Sequence, residues 1–577
     1  MTREDLADTL DRIALLLELQ GENPFKIRAY KTGAEIVRSH PDDILRLARE
    51  NQLDGIKGLG EALQKKLHEL ASTGHLVFYD ELRKSFPETL FALFDLPGLG
   101  PKKVKALHDQ LAITSVAAVK AACEDGRIAG LAGFGKKTAE NLLAAIAWRE
   151  QNAGSFRIGD AAPIAEQLLA RLREHPDASR VEAAGSYRRG KEIIHDLDFL
   201  VATSRPAGIM DLFVSMPEVA EVLANGATKS SVRLRNGLQC DLRAVTNEEF
   251  ACALAYFTGS KEHNVALRSR ALARGWTLNE YRLSPKEGSD TTSPPIFPDE
   301  AALHRWLGLD FVPPELRENQ GEIPAAAEGR LPRLIELENL RGTFHNHTTA
   351  SDGRNSLEEM AETALELGLQ YLGIADHSKS SFQANGLDET RLRRQIDEIR
   401  SLNARWKAEG VDFRLLAGSE VDILKEGNLD FDDGLLSELD YVVASVHSVF
   451  TLSEAEMTQR IIRAVSNPHV TMLGHLTGRL LLEREAYAVD VPAVIEACAG
   501  TGTIIELNCN PWRLDMDWRW WKLAKEKGVK CAINPDAHRT EDLQWLWLGV
   551  KLARKGWLTR ADVINCLTPE ELPFLRH

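Results

Sequence analysis

Residues Gly185–Val201 read GSYRRGKEIIHDLDFLV. A Gly-Ser turn leads into two arginines, and Asp196-Leu197-Asp198 then falls inside an apolar run. Such a run is a strand, and residues i and i+2 of a strand point to the same face, so both carboxylates project together. Paired carboxylates beside Gly185, Ser186 and a cation suit a metal-bound triphosphate. Hard oxygen ligands hold Mg²⁺, free backbone N–H groups cradle phosphate, and arginine neutralises it. A third carboxylate, Asp241, lies in a second strand pattern, LQCDL at 238–242. Two carboxylates on one strand and a third on a neighbour make a site for two ions, Mg²⁺ or Mn²⁺, with Asp196, Asp198 and Asp241 as ligands.

Upstream of this stretch the chain carries three similar phrases, Gly58-Leu59-Gly60, Gly98-Leu99-Gly100 and Gly133-Phe134-Gly135. Each is followed by a helical segment rich in Ala, Leu and Lys, which is the pattern of helix-hairpin-helix units. The glycines let the hairpin backbone approach a phosphate, and N–H groups at the next helix start bind it without reading sequence. Lys102 and Lys136, each followed by a further lysine, add positive charge there. Lys66 sits on the helix after the first hairpin. It is open to two readings: an amine nucleophile that forms a Schiff base with an abasic sugar, or a solvated lysine on a helix face.

The 577 residues suffice for several domains. A charged N-terminus and the lack of any long apolar run exclude a signal peptide and a membrane span. Seven cysteines without a CxxC pair indicate neither a disulfide framework nor a Cys₄ zinc site, and fit the cytoplasm. The net charge of −15 argues weakly against nucleic acid, because the first 150 residues are nearly balanced in charge.

GS-x-RRG followed by D-x-D resembles the nucleotidyltransferase superfamily. YFTGSKEHNVALR at 256–268 resembles the nucleotide-binding segment of family X DNA polymerases, the group containing DNA polymerase beta. That resemblance implies that Ser186 and Arg189 contact the incoming triphosphate. It makes Tyr256, Phe257 and Gly259 the wall that senses the sugar 2′ position, sets Asn264 on the minor-groove edge of the base, and sets Arg268 toward the template. It also places the family's lyase lysine at Lys66 and, on a looser alignment, a further triphosphate contact at Arg157. His195, before the first aspartate, departs from the small residue usual in this family, and puts polymerase rate and fidelity in question.

After a stretch rich in proline, glycine and charge at 311–333, read as a linker, seven apolar runs each end in polar residues. They are GTFHNH, YLGIADH, LLAGSE, YVVASVH, VTMLGH, TIIELNCN and KCAINPDAH. Helical stretches separate most of them, so parallel βα units are expected, with a site at the strands' C-terminal ends. His345, His347, Asp352, His377, Glu420, His447, His475, Asp536 and His538 supply imidazole and carboxylate together. That mixture suits Mn²⁺, Zn²⁺ or iron, and nine ligands overfill one ion, so two or three are expected. Arg479 reads either as a phosphate contact or as a surface ion pair.

This half is similar to the PHP (polymerase and histidinol phosphatase) domain along its whole length. Joined behind a family X polymerase, it implies a Mn²⁺-dependent 3′–5′ exonuclease with other 3′-end-processing activities. The expected fold class is multidomain, α and α/β. Residues 1–85 form a helical hairpin-bearing domain and 86–154 a fingers-like domain with two more hairpins. A nucleotidyltransferase palm at 155–247 and a thumb at 248–314 precede a linker at 315–338 and a distorted seven-stranded βα barrel at 339–577. The expected function is gap filling in base excision repair with 3′-end trimming, and lyase or abasic-site endonuclease activity as an open addition. The alternative is a DNA-binding phosphoesterase whose polymerase half is weak or inactive. Expected partners are gapped or nicked DNA, dNTPs and other base excision repair proteins, with no membrane. The chain is expected to act as a monomer in the bacterial cytoplasm, at the nucleoid.

Overall fold

Helical periodicity fills the first third of the chain. In the computed structural model, which describes residues 3–39, 44–94, 96, 98–286 and 295–575, the described residues up to Ala153 form helices and turns. The chain divides into two units, Met1–Ala153 and Gly154–His577. In the first, helices Arg3–Gln20 and Pro24–Ser39 pack side by side, and Glu61–Thr73, Pro101–Leu111 and Lys136–Gln151 each follow one of the three glycine phrases. Leucines at helical spacing, among them Leu6, Leu10, Leu63, Leu67 and Leu107, form its own core.

The second unit opens with a five-stranded sheet. Strand Asp196–Ala202 is flanked by Arg180–Ala183, antiparallel, and by Gln239–Val245, parallel. Alternation of apolar and polar residues in these strands buries Leu197, Phe199 and Val201 on one face against helix Ile158–Arg173. Helices Phe250–Thr258 and Lys261–Ala273 follow, then Glu300–Trp306.

The stretch read as a linker connects the two halves but is not a loose tether. It holds a 3₁₀ turn at Pro314–Leu316 and a helix at Glu322–Ala327. Arg317 is fully buried and donates to Glu300 at 2.6 Å, and Glu322 is buried against His263 at 2.6 Å. Proline and glycine there set turns within a packed segment, and the charges that suggested solvation pair with residues distant in sequence.

The seven apolar runs form seven parallel strands in consecutive order, Gly342–Thr343, Tyr371–Ile374, Arg414–Asp422, Tyr441–Ser445, Met472–Leu473, Ile504–Asn508 and Cys531–Asn534. The first and last edges meet through a bridge between Asn346 and Ala537 and a hydrogen bond from Thr343 Oγ1 to the Ile533 carbonyl, 3.1 Å, so the barrel nearly closes. Tyr441 explains the glycines in two of the runs. Its ring crosses the barrel floor, where a Cβ on Gly373 or Gly418 would stand 2.5 or 2.3 Å from it. All seven cysteines are buried and unpaired. Among the described residues no helix is long and apolar enough to cross a membrane.

Candidate active sites

The three glycine phrases adopt one design. Gly58, Gly98 and Gly133 hold φ of +97°, +81° and +86°, a region that glycine enters at little cost. Gly60, Gly100 and Gly135 each cap a helix N-terminus without a side-chain hydrogen bond, and a Cβ on any of them would meet nothing within 4 Å. The helix-start N–H groups therefore face open space beside exposed Lys102 and Lys136, as a backbone-phosphate contact requires. Lys66 is half-buried, its ammonium 4.8 Å from the centroid of Phe78, which stacks on Tyr30. Lys26 approaches the same ring, so two cations and two aromatic rings gather there, while neighbouring Lys65 pairs with Glu61 at 2.7 Å.

In the palm, Asp198 and Asp241 are register partners on adjacent parallel strands, and Asp196 lies two residues before Asp198 on the same face. The three carboxylates thus gather at one sheet edge, against the Gly-Ser turn. Gly185 has φ +58°, and a Cβ on it would stand 2.1 Å from Asp198 Oδ2, so only glycine lets turn and carboxylate meet. Burial first, then the charges of Asp196 and Asp241, push the Asp198 carboxyl up to about 7. Burial works the same way on Asp241, but Lys229 at 2.9 Å, Gln239 and Ser231 hold it below the usual range. A cluster whose members repel one another's ionisation, made of oxygen donors alone, fits hard divalent cations. Arg243 adds a cation near Asp198 and lies 4.5 Å over the Phe257 ring. Nothing in the sequence singled it out, although its i+2 spacing from Asp241 gave the signal.

Of the candidate nucleotide-binding residues, Phe257 meets this cluster through Arg243, and Arg189 lies near Asp198. Arg189 donates through Nη1 to the Thr258 carbonyl and through Nε to Glu318 at 3.1 Å, and a Cβ on Gly259 would stand 3.0 Å from its Nη1. Ser186 lies in the short helix Gly185–Arg188. The half-buried rings of Tyr256 and Phe257 pack edge to face at 5.2 Å. Asn264 Nδ2 donates to the Tyr256 carbonyl at 2.7 Å, and Arg268 Nε to the Asn264 carbonyl at 3.3 Å. His195 is exposed and its Nε2 lies 3.2 Å from Ser155 Oγ. Arg157 lies 3.2 Å from the ring centroid of Trp512 and donates to Asp160 at 2.8 Å. Its guanidinium is held by those two residues.

The barrel brings all nine of its sequence-derived residues to one cluster at the strands' C-terminal ends. Glu420 is central: its oxygens lie 3.3 Å from His345 Nε2, 2.9 Å from His377 Nδ1, 3.2 Å from His447 Nε2 and 2.9 Å from His475 Nε2. His347 Nε2 is 3.2 Å from Asp536, and Asp352 approaches His347, His377 and His538 at 3.9, 3.6 and 3.5 Å. Three overlapping groups have donor atoms close enough to share an ion: His347, Asp352, His377 and His538; His345, His347 and Asp536; and His377, Glu420 and His447. Buried ring nitrogens on His345, His347 and His377 have no hydrogen-bond partner. Leaving such groups unpaired is costly unless a cation meets them, so the cluster fits metal binding. Burial disfavours the Asp536 and Glu420 carboxylates as charged groups, yet the imidazoles around them hold both well below their usual range.

Groups that the sequence did not single out orient this cluster. Glu506, fully buried, accepts from His345 Nδ1 at 2.7 Å and from the His475 backbone N–H at 2.7 Å. Asp422 accepts from His447 Nδ1, fixing that ring as carboxylates fix metal-bound imidazoles elsewhere. It sits two residues after Glu420 on the same strand face, the one clue available in the sequence. Arg513 Nε lies 3.2 Å from Asp536 and lines the cavity over the cluster. Arg479 meets Glu192, Asp517 at 3.1 Å and the Arg513 carbonyl at 3.0 Å. Of its two readings the ion pair describes its contacts, and the pair is buried instead of superficial.

Comparison with known proteins accounts for both halves together. Residues 1–76 match the helix-hairpin-helix domain, and 91–147 match the SAM-like helix-hairpin-helix tandem. Residues 253–318 match the DNA polymerase beta thumb, and 343–508 match the PHP domain. The DNA polymerase/3′-5′ exonuclease PolX of Bacillus subtilis (strain 168) is 38% identical over 567 residues, 98% of this chain and 97% of that protein. A probable phosphatase of Thermoanaerobacter sp. (strain X514) is 32% identical over 232 residues, 38% of this chain and 88% of that protein. A probable phosphatase of Caldicellulosiruptor saccharolyticus is 29% identical over 247 residues, 40% of this chain and 94% of that protein. The near-complete match to the Bacillus protein, with the thumb and PHP matches in the same chain, means that this chain belongs to the bacterial family X DNA polymerases that carry a PHP domain.

Proposed function

We propose that the chain is a DNA-directed DNA polymerase and a 3′–5′ exonuclease that fills short gaps and trims 3′ ends during base excision repair. The observation that carries the polymerase reading is the register pairing of Asp198 with Asp241 against the Gly185 turn. Asp196, Asp198 and Asp241 hold two Mg²⁺ or Mn²⁺ ions, and the nine barrel residues hold two or three of Mn²⁺, Zn²⁺ or iron. When bound, such ions activate the attacking oxygen and offset the charge that builds on the phosphate.

The chain's own residues do the positioning. Ser186 and the turn's N–H groups take the triphosphate with Arg189, which must exchange its bonds to Thr258 and Glu318 for phosphate oxygens. The Tyr256-Phe257-Gly259 wall excludes a 2′-hydroxyl by contact, Asn264 reads the minor-groove edge of the base, and Arg268 faces the template. The three hairpins hold gapped or nicked DNA by its backbone, through Gly58, Gly60, Gly98, Gly100, Gly133 and Gly135 with Lys102 and Lys136. Lys66, against Phe78 and Tyr30, is the amine for abasic-site lyase chemistry. In the barrel, Glu506 and Asp422 hold His345 and His447 in one tautomer each, and Arg513 steadies a phosphate beside Asp536.

The alternative reading, in which the polymerase half is weak or inactive, rested on His195, whose Nε2 lies 3.2 Å from Ser155 Oγ. The test is an assay on a labelled gapped duplex. Asp198→Ala should abolish dNTP incorporation and leave Mn²⁺-dependent 3′ digestion, and His347→Ala should do the reverse. Loss of both activities in either variant would refute two separate centres.

A further inference from the structure

One cavity, of about 470 Å³, joins the metal-ligand cluster to the solvent. That is within the range of roughly 300–1,000 Å³ in which proteins enclose small ligands. Its inner wall carries the charged groups already described. Its outer wall is of another character: Phe382, Leu424 and Val449 line it, and their exposures are 78%, 36% and 40%. Single exposed apolar residues are ordinary on any surface. These three come from the loops that follow three successive strands, Tyr371–Ile374, Arg414–Asp422 and Tyr441–Ser445, and they converge on one mouth. Val449 also holds φ +56°, a conformation rarely tolerated by a β-branched residue.

The turn that presents Phe382 is anchored. Ser381 Oγ donates to Asp422 at 3.0 Å, Ser380 Oγ donates to the same oxygen, and the Ser380 N–H donates to Asp430 at 2.7 Å. Asn385, at φ +54°, donates to the Ser351 carbonyl at 3.1 Å and closes the turn. Asp422 therefore holds the turn with one oxygen and His447 with the other. The backbone that carries the exposed ring is thus anchored to the cluster, so part of the ordering cost is already met in the folded chain.

We propose that Phe382, flanked by Leu424 and Val449, is a nucleobase platform that stacks on the terminal base of the strand whose last phosphodiester lies at the cluster. The assignment rests on the exonuclease reading above and deepens it. A flat aromatic face suits an enzyme that must accept any base, since every base offers a π-face and stacking carries little sequence preference. Lys425, on the same rim, supplies charge for the strand's backbone. A base still paired in a duplex cannot reach the ring, so the platform favours unpaired 3′ ends.

The test compares two single-stranded oligonucleotides with the full-length protein in Mn²⁺, one ending in a 3′ adenosine nucleotide and one in a 3′ abasic (tetrahydrofuran) residue. The wild type should show a KM about thirtyfold lower for the base-bearing end, the mid-range effect of one stacked base. Phe382→Ala should raise that KM to the abasic value, leave abasic-end hydrolysis unchanged, and be rescued by Phe382→Trp. Equal slowing on both ends, or no change on either, would overturn the platform. So would a loss that depends on protein concentration, which would mean that a second copy covers the rim. A binding measurement separates this inference from the activity on which it rests. A 3′-terminal 2-aminopurine should be quenched on binding to the wild type and not to Phe382→Ala. Quenching without hydrolysis of any 3′ end would sink the exonuclease reading alone, and absence of quenching would sink the platform.

Discussion

The palm and the barrel serve phosphate chemistry with opposite donor sets. In the palm, three carboxylates share one sheet edge, with no imidazole among them and Asp196 exposed. Burial, and then their mutual repulsion, push the Asp198 carboxyl up to about 7. Such an all-oxygen set would suit hard divalent ions, which Asp196, Asp198 and Asp241 would hold. In the barrel, eight imidazole and carboxylate residues gather around the buried Glu420, and Glu506 and Asp422 fix two of the rings from behind. From the difference between an all-oxygen set and an imidazole-rich one we propose that the first centre takes up its metal with substrate and the second holds its metal without it.

The strongest way to break this contrast is at Glu420, whose oxygens touch four imidazoles. Glu420→Gln should cut 3′–5′ hydrolysis by about 10³-fold or more, the several kcal/mol that metal assistance supplies. Gapped-DNA synthesis by the same preparation should stay within a factor of about two. Next comes Gly185→Ala, which drives a methyl against Asp198 and strains a left-handed backbone. Incorporation should fall by roughly 10²-fold, the cost of misplacing reacting groups by an ångström, while exonuclease rates hold. Primer extension and 3′ digestion measured side by side would show this, and parallel losses would erase the distinction. Asp422→Asn should act more gently, weakening barrel metal affinity by about 10–100-fold, as loss of an orienting partner does. Metal content after dialysis against a weak chelator measures it. Smallest is Gly60→Ala: the cap loses a few tenths of a kcal/mol or less at an open site, and DNA affinity should fall only a few-fold in a binding titration.

Stability offers a separate check on the segment before the barrel. Glu300 accepts from both Arg188 and Arg317, the latter fully buried. Glu300→Gln leaves those guanidinium groups without their counter-charge and should cost about 3–5 kcal/mol in chemical denaturation.

Much of this architecture was legible in the residues. Three repeated Gly-x-Gly phrases, each before a helix, favoured hairpins over ordinary capped turns, and D-x-D in an apolar run pointed to a strand with both carboxylates on one face. The barrel ligands were readable because each ends an apolar run, where the topology must gather them. What escaped reading was pairing at a distance. Arg479 carries the same letter whether it meets a phosphate or Glu192, and 287 residues separate that pair. Arg317 and Glu300 bury one another within a stretch whose prolines and charges suggested solvent. Glu506 and Phe382 were hidden for opposite reasons. One is an acid inside an apolar strand, the other an apolar ring on the surface, and only the fold tells what each faces.

The contrast between recruited and resident metal is tested most directly by calorimetric titration of Mn²⁺ into chelator-stripped full-length protein, with and without a non-hydrolysable dNTP. The account predicts tight sites that fill without nucleotide and vanish in His347→Ala, together with weaker sites that require the nucleotide and vanish in Asp198→Ala. Tight, nucleotide-independent binding that disappears in Asp198→Ala and survives in His347→Ala would contradict it.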